Sequence, residues 1–267
     1  MALPEPSPES ACLITGASSG IGVEIARALA KRGQNLVLLA RRVDRLERLA
    51  SELSDEFGVR VEVLGCDISD PAARAEVPDR VAQLGLTVEV LVNNAGYGTA
   101  GKFVELNPER EVGMVRVNVE AVTALCSAFV PPMVDRGRGA VLNVASTIAF
   151  QPMPGQAGYA ATKAYVLSFT QALDTELHGT GVTATALCPG PVKTEFMDEP
   201  GMEESASALP KPMWLDPAEV AEAGVRGVES GTGIVVPGVA NVVSRLIGRH
   251  TPRWLLLSTI RRLTGIG

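Results

Sequence analysis

Short apolar runs alternate with stretches of helical periodicity along almost the whole chain, and this alternation most restricts its fold. Strands are expected at Ala11–Thr15, Asn35–Ala40, Arg60–Leu64, Val88–Val92, Gly139–Val144, Val182–Cys188 and Gly233–Val236. Helices are expected between them, at Gly22–Arg32, Val43–Phe57, Pro71–Leu84, Pro108–Val134, Gly158–His178 and Pro217–Glu229. Leu46, Leu49 and Leu53 mark the apolar face of one helix, while Gly33 and Pro108 act as stop and start residues of others. A strand, a helix and another strand in series imply a right-handed crossover and a parallel sheet with helices on both sides. With no internal break and no repeat, residues 11–240 read as a single α/β domain, a doubly wound parallel sheet in three αβα layers. Such sheets bind ligands at the carboxyl ends of their strands, so the chemistry belongs in the loops that follow each strand.

Composition agrees. The 267 residues are 46% hydrophobic but only 4% aromatic, so the interior must be built from Val, Leu, Ile and Ala, as in a sheet buried on both faces. A formal charge of −6 argues against a general nucleic-acid binder. Cys12, Cys66, Cys126 and Cys188 have no paired spacing, and His178 and His250 are the only histidines, so no metal site is expected. These cysteines read as buried, reduced thiols of a cytoplasmic protein. Residues 1–10 carry three prolines and no signal-peptide pattern, and are expected to form a disordered tail. No run of about 18 apolar residues occurs, so no segment is expected to span a membrane.

Tyr159 and Lys163 stand four residues apart in an expected helix, so phenol and ammonium project from one face. At roughly 5 Å and an effective dielectric of about 20, the charge is expected to lower the phenol pKa by roughly two. That would suit acid–base work near neutrality. Alone, the spacing also fits a plain solvated helix face. The turn Thr15-Gly16-Ala17-Ser18-Ser19-Gly20-Ile21-Gly22 follows the first strand and opens the first helix. Glycines there permit a tight turn, and the helix start offers free N–H groups and a positive dipole end to a pyrophosphate. Gly16, Ser18, Ser19, Gly20, Ile21 and Gly22 are therefore cofactor-binding candidates in a Rossmann fold, the alternative being a purely structural turn. Where an acid would hold the ribose of NAD, the second strand ends in Ala40, followed by Arg41 and Arg42. Guanidiniums suit a 2′-phosphate and point to NADP(H), unless both arginines merely open a solvated helix.

These features, with Asn93-Asn94-Ala95-Gly96 after the fourth strand, Ser146 after the fifth and Pro189-Gly190 after the sixth, resemble the classical short-chain dehydrogenase/reductases from about Ala11 to Thr194. The resemblance implies that Tyr159 is the general acid for a carbonyl oxygen, that Lys163 lowers its pKa and holds the nicotinamide ribose, and that Ser146 hydrogen-bonds the substrate oxygen. Asn118, in Val-Asn-Val on the long helix, would hold a water in a proton relay, or else be a polar helix residue satisfying nearby backbone. Further cofactor contacts are implied at Asp67 and Ile68 for the adenine, at Asn94, Ala95 and Gly96 for the adenosine ribose, and at Pro189, Gly190, Val192 and Thr194 for the nicotinamide. Asp67 also fits the cap of the third helix. The implied activity is NADPH-dependent reduction of a carbonyl group, reversible as alcohol oxidation. An NAD-linked alcohol dehydrogenase and a non-catalytic NADP-binding sensor or scaffold are the alternatives. No metal is needed, since the cofactor carries the hydride and the protein supplies position and a proton. Pro131-Pro132-Met133-Val134 and the Tyr159–Tyr165 run resemble the branch holding 3-ketoacyl and hydroxysteroid reductases, although fold and cofactor do not select a substrate.

Residues 195–215 read as a substrate lid. Tyr97, Phe150, Met153 and Met197 are expected to line an apolar pocket for a hydrophobic carbonyl compound, unless the methionines pack only on one another. Val236-Pro237-Gly238-Val239 replaces the Asp-Gly-Gly turn of many relatives, and residues 241–267 continue with five arginines and no acid. This basic amphipathic extension reads as a cover for the cleft or a subunit neighbour, as a layer on an anionic membrane surface, or as an ordinary surface helix. A homodimer or homotetramer is expected.

Overall fold

A computed structural model describes residues 3–207 and 209–264. Strands β1 (Ser10–Thr15), β2 (Leu36–Ala40), β3 (Val61–Gly65), β4 (Thr87–Asn93), β5 (Gly139–Val144), β6 (Val182–Leu187) and β7 (Ile234–Val235) form one sheet. Its order is β3-β2-β1-β4-β5-β6-β7 with every neighbour parallel, the doubly wound arrangement expected. The winding reverses between β1 and β4. The loops after those two strands therefore diverge and open a crevice at their carboxyl ends.

The connecting helices are α1 (Gly20–Ala30), α2 (Val43–Phe57), α3 (Pro71–Ala75), α4 (Val77–Gln83), α5 (Pro108–Val115), α6 (Ala121–Asp135), α7 (Ala157–Glu176), α8 (Met202–Ser207), α9 (Pro217–Ser230), α10 (Val239–His250) and α11 (Arg253–Thr264). Every residue of β1, β2 and β5 is buried, because helices cover both faces of the sheet. Ile25 and Leu29 of α1, Leu46 and Leu53 of α2 and Val220 and Val225 of α9 pack on one face around Cys12, Ile14 and Leu36. Val77 of α4, Leu125 and Phe129 of α6 and Val166 of α7 pack on the other, around Leu13 and Leu91.

Three expectations change. The third helix breaks at Glu76, between α3 and α4, because Pro78 has no N–H to continue the ladder. The long helix contains a π turn over Arg116–Glu120, which separates α5 from α6. The whole run Pro108–Asp135 is long and apolar enough to cross a bilayer by length and composition. It serves here as a core helix, with Leu125, Phe129 and Met133 buried against the sheet. Finally, residues 3–9 are not a disordered tail. Leu3 packs on the α1–α2 side, Gln34 Nε2 donates to the Pro4 carbonyl at 2.7 Å, and Asn35 Nδ2 donates to the Ser7 carbonyl at 2.9 Å. The prolines that forbid a helix also reduce the entropy lost on pinning the segment. Residues 1 and 2 lie outside the described part.

Candidate active site

A cleft of about 1210 Å³ runs along the carboxyl ends of the strands. Its floor begins at the glycine turn. Gly16 and Gly20 have φ of +67° and +57°, a region that favours glycine, and a Cβ on Gly16 would lie 2.8 Å from Ala95 Cα. Gly16, Ser18, Ser19, Gly20 and Ile21 face the cleft. Gly22 does not, which corrects its reading as a cofactor contact: a Cβ there would meet the Gly16 carbonyl oxygen at 2.4 Å, so it is a packing glycine. The start of α1 has no side-chain cap and no acid in its first turn. Its free N–H groups and positive dipole end face the cleft beside Ser18 and Ser19, which fits a pyrophosphate.

Thr15 and Asn94 lash the loop after β4 to this turn. Thr15 Oγ1 accepts from Asn94 N and Ala95 N at 3.0 and 3.1 Å, and Asn94 Nδ2 donates to the carbonyls of Thr15 and Gly16. Asn94, Ala95 and Gly96 consequently border the cleft. At its far end stand Arg41, Arg42, Asp67 and Ile68. Arg42 donates to Ser18 Oγ at 3.1 Å and Ser19 Oγ at 2.8 Å, and its Nη1 lies 2.8 Å from Glu195. Burial raises the Asp67 pKa, but hydrogen bonds from Ser69 and the charge of Arg41 outweigh it and hold the carboxyl below its usual range. Asp67 thus caps the Ser69 turn while facing the cleft, and the true N-cap of α3 is Asp70. Arg74 fixes the Ile68 carbonyl at 2.7 Å.

β5 delivers Ser146 and the first turns of α7 deliver Tyr159 and Lys163 to one wall. The tyrosine is 7% exposed and the lysine 5%. Lys163 Nζ lies 5.9 Å from the Tyr159 ring centroid and donates to the Val144 carbonyl at 2.8 Å. The same-face geometry is as expected, but the acidity is not. Burial pushes the Tyr159 phenol above its ordinary value, with the Ser146 side chain pulling the other way. Burial also brings Lys163 down to about 8. The expected lowering of the phenol pKa is therefore corrected: the amine is turned to the β5 backbone, and desolvation dominates at the phenol. The phenol is held protonated, the form a proton donor needs.

Asn118 lies in the π turn, 1% exposed, and does not reach the cleft. Its Nδ2 donates to the Tyr97 carbonyl at 2.9 Å and to Thr162 Oγ1 at 3.1 Å, and its Oδ1 accepts from Tyr97 N. Thr162 Oγ1 donates to the Tyr159 carbonyl at 2.8 Å. The Asn118 amide is thus spent on positioning the Tyr97 loop and α7. Pro189, Gly190, Val192 and Thr194 also line the cleft; the Ser146 hydroxyl donates to the Pro189 carbonyl at 3.4 Å and Thr147 N donates to it at 2.9 Å.

Tyr97, Met153 and Met197 border the cleft, whereas Phe150 does not. Phe150 turns into the core, with the Arg245 guanidinium 5.5 Å from its ring, so its assignment to the pocket is corrected. Phe196 takes that place instead, its ring centroid 5.5 Å from that of Tyr159. The segment 195–215 forms a 3-10 turn, α8 and a second 3-10 turn around the cleft, residue 208 lying outside the described part. It is tied down by Ala100 N donating to the Pro200 carbonyl and by Gln156 Nε2 donating to Ser205 Oγ. Arg74, Gln156 and Thr162 also hold the site through Glu120, Ser205 and Asn118, partners distant in the chain, and nothing in their local sequence marks them. Among the described residues, no cluster of His, Cys, Asp and Glu has metal-binding geometry.

Residues 10–204 match the short chain dehydrogenase family. The chain belongs to that family. Among curated relatives of this short chain dehydrogenase is Sulfoacetaldehyde reductase 2 of Chromohalobacter salexigens, 37% identical over 203 residues, covering 73% of this chain and 78% of the relative. A short-chain dehydrogenase from Sphingobium yanoikuyae, solved in complex with NADPH, is 35% identical with a TM-score of 0.79 over 95% of this chain and 94% of that one. A bulky-bulky ketone specific alcohol dehydrogenase from Comamonas testosteroni is 32% identical with a TM-score of 0.74, over 95% and 92% of the two chains. The fold and the oxidoreductase family are thereby shown.

Proposed function

We propose that this short chain dehydrogenase is an NADPH-dependent carbonyl reductase, reversible as an alcohol dehydrogenase, acting on a hydrophobic substrate. The observation that carries the reading is the meeting of Tyr159, Ser146 and Lys163 on one wall of the cleft that begins at the uncapped start of α1. When bound, NADPH supplies the hydride. Ser18, Ser19, Gly20 and Ile21 hold the pyrophosphate, Arg41 and Arg42 the 2′-phosphate, and Pro189 to Thr194 the nicotinamide end. Ser146 and Tyr159 hold the carbonyl oxygen between two hydrogen-bond donors. Tyr159 then delivers its proton to that oxygen as negative charge develops there. Lys163, charged below about pH 8, favours the phenolate left behind. Phe196 on the tyrosine ring keeps water from the reacting atoms.

The relatives' names range from a small anionic aldehyde to bulky ketones, so kinship does not choose the substrate. Met153, Met197, Phe196 and Met202 around the reacting wall favour an apolar ketone. Val112 and Val115 of α5 and Tyr165 of α7 are exposed apolar side chains that suit a homodimer or homotetramer contact. Four free, buried cysteines suit the reducing cytoplasm. The decisive experiment is Tyr159→Phe. It is expected to lower kcat with an aromatic ketone by about a thousandfold or more while NADPH still binds. A variant retaining a tenth of the turnover would remove Tyr159 from the role of acid.

A further inference from the structure

Helices α10 and α11 turn one side inward and leave the other bare. Ser244 and Ile260 border the cleft, while Asn241, Gly248 and Leu256 are buried. On the outer side, Val239, Val243, Leu246 and Ile247 recur at the spacing of an apolar helix stripe, the kind of face a helix ordinarily covers. Val239 is 82% exposed, and Trp254 at the start of α11 is 73% exposed beside exposed Leu255 and Leu257. Arg249, His250 and Arg253 stand exposed between the two apolar groups. Residues 239–264 hold no acid, all 30 acidic residues of the chain lying elsewhere; Arg249 and Arg253 supply charge to the outer side, while Arg245 lies inward against the Phe150 ring.

We propose that this face docks on an anionic lipid surface. Charge selects that occupant. A second copy meeting the face symmetrically would bring arginines and no acid, so like charges would gather beside an apolar seam with no opposite charge to pair them. Anionic headgroups offer the opposite sign to the arginines, and the boundary beneath them accepts the valine–leucine–isoleucine stripe and the indole of Trp254. The same two helices wall the cleft, so docking brings the substrate site to the bilayer. If the proposed reduction of an apolar ketone holds, the substrate reaches the cleft from the lipid phase.

The test is co-sedimentation of the full chain with phosphatidylcholine vesicles, with and without phosphatidylglycerol. Binding is expected only with the anionic lipid and is expected to fall about tenfold in high salt. Val243→Ser with Ile247→Ser, and separately Trp254→Ser, are each expected to weaken it by about tenfold while turnover of a water-soluble ketone is kept. No sedimentation of the wild type, or sedimentation of both variants to the same extent as the wild type, overturns the proposal. So does a concentration-dependent dimer that the same substitutions abolish. Vesicle binding is read without turnover, so a failed assignment of Tyr159 or of NADPH leaves this result standing, and the reverse also holds.

Discussion

The guanidinium of Arg42 is shared by Ser18, Ser19 and Glu195, and Arg45 adds a second cation to the same carboxylate at 2.5 Å. Hydrogen bonds from Arg42 and then Arg45 hold the Glu195 carboxyl below its usual range, so it is an anion at neutral pH. A 2′-phosphate would have to compete with it for Arg42. Glu195→Gln is therefore expected to tighten NADPH binding about fivefold, the scale of one exposed ion pair, and to leave NADH unchanged. Arg41→Ala is expected to weaken NADPH about tenfold and NADH hardly at all. Titrations of nicotinamide fluorescence decide both, and equal changes for the two cofactors would refute the phosphate assignment.

Among the elements, α10 is tied to the site through the Asn241 side chain. Asn241 Nδ2 donates to the carbonyls of Met213, near the end of the segment 195–215, and Pro237, just after β7, at 3.0 and 3.1 Å. A Cβ on Gly190 would lie 2.2 Å from Asn241 Oδ1, so the segment after β6 passes Asn241 only as glycine. Asn241→Ala leaves two carbonyls without that donor and is expected to cost about 1–3 kcal/mol in urea unfolding. Because the segment loses that tie, limited proteolysis within residues 195–215 is expected to accelerate. Stability and cleavage both unchanged would show that the segment is held elsewhere.

The whole molecule carries a signature at alkaline pH. Burial raises Cys12, and pushes Cys126 and Cys188 up to about 12, from an ordinary value of 9.0. Such a thiol keeps its proton in the folded chain after the unfolded chain has lost it. Its contribution is full below pH 9 and lost as pH climbs toward 12. Lys163, lowered from 10.5 to about 8, acts oppositely, since between those values the unfolded chain holds more protons. Three thiols outweigh one amine, and about 2 kcal/mol of stability is expected to disappear between pH 9 and pH 10. Urea midpoints across that range test it; a midpoint that holds or rises would contradict the burial of these groups.

Local pattern determined much of this protein. The apolar runs set the strands and their buried faces, the helical stretches set the crossovers, and Gly16, Tyr159, Lys163 and Ser146 were legible because each works at a fixed offset from a strand end or helix start. Those are properties of neighbours in the chain, and tertiary contacts here did not override them. The tertiary structure alone decided that Phe150 faces the core while Phe196 covers Tyr159, that Gly22 packs rather than binds, and that the Asn118 amide is consumed by Tyr97 and Thr162. It also decided that residues 3–9 lie pinned to Gln34 and Asn35, and that burial raises the phenol while Lys163 turns to the Val144 carbonyl. Each of these depends on which atoms a side chain meets after the chain has returned from tens of residues away, and on how much water remains there. Neither quantity is written in the spacing of residues.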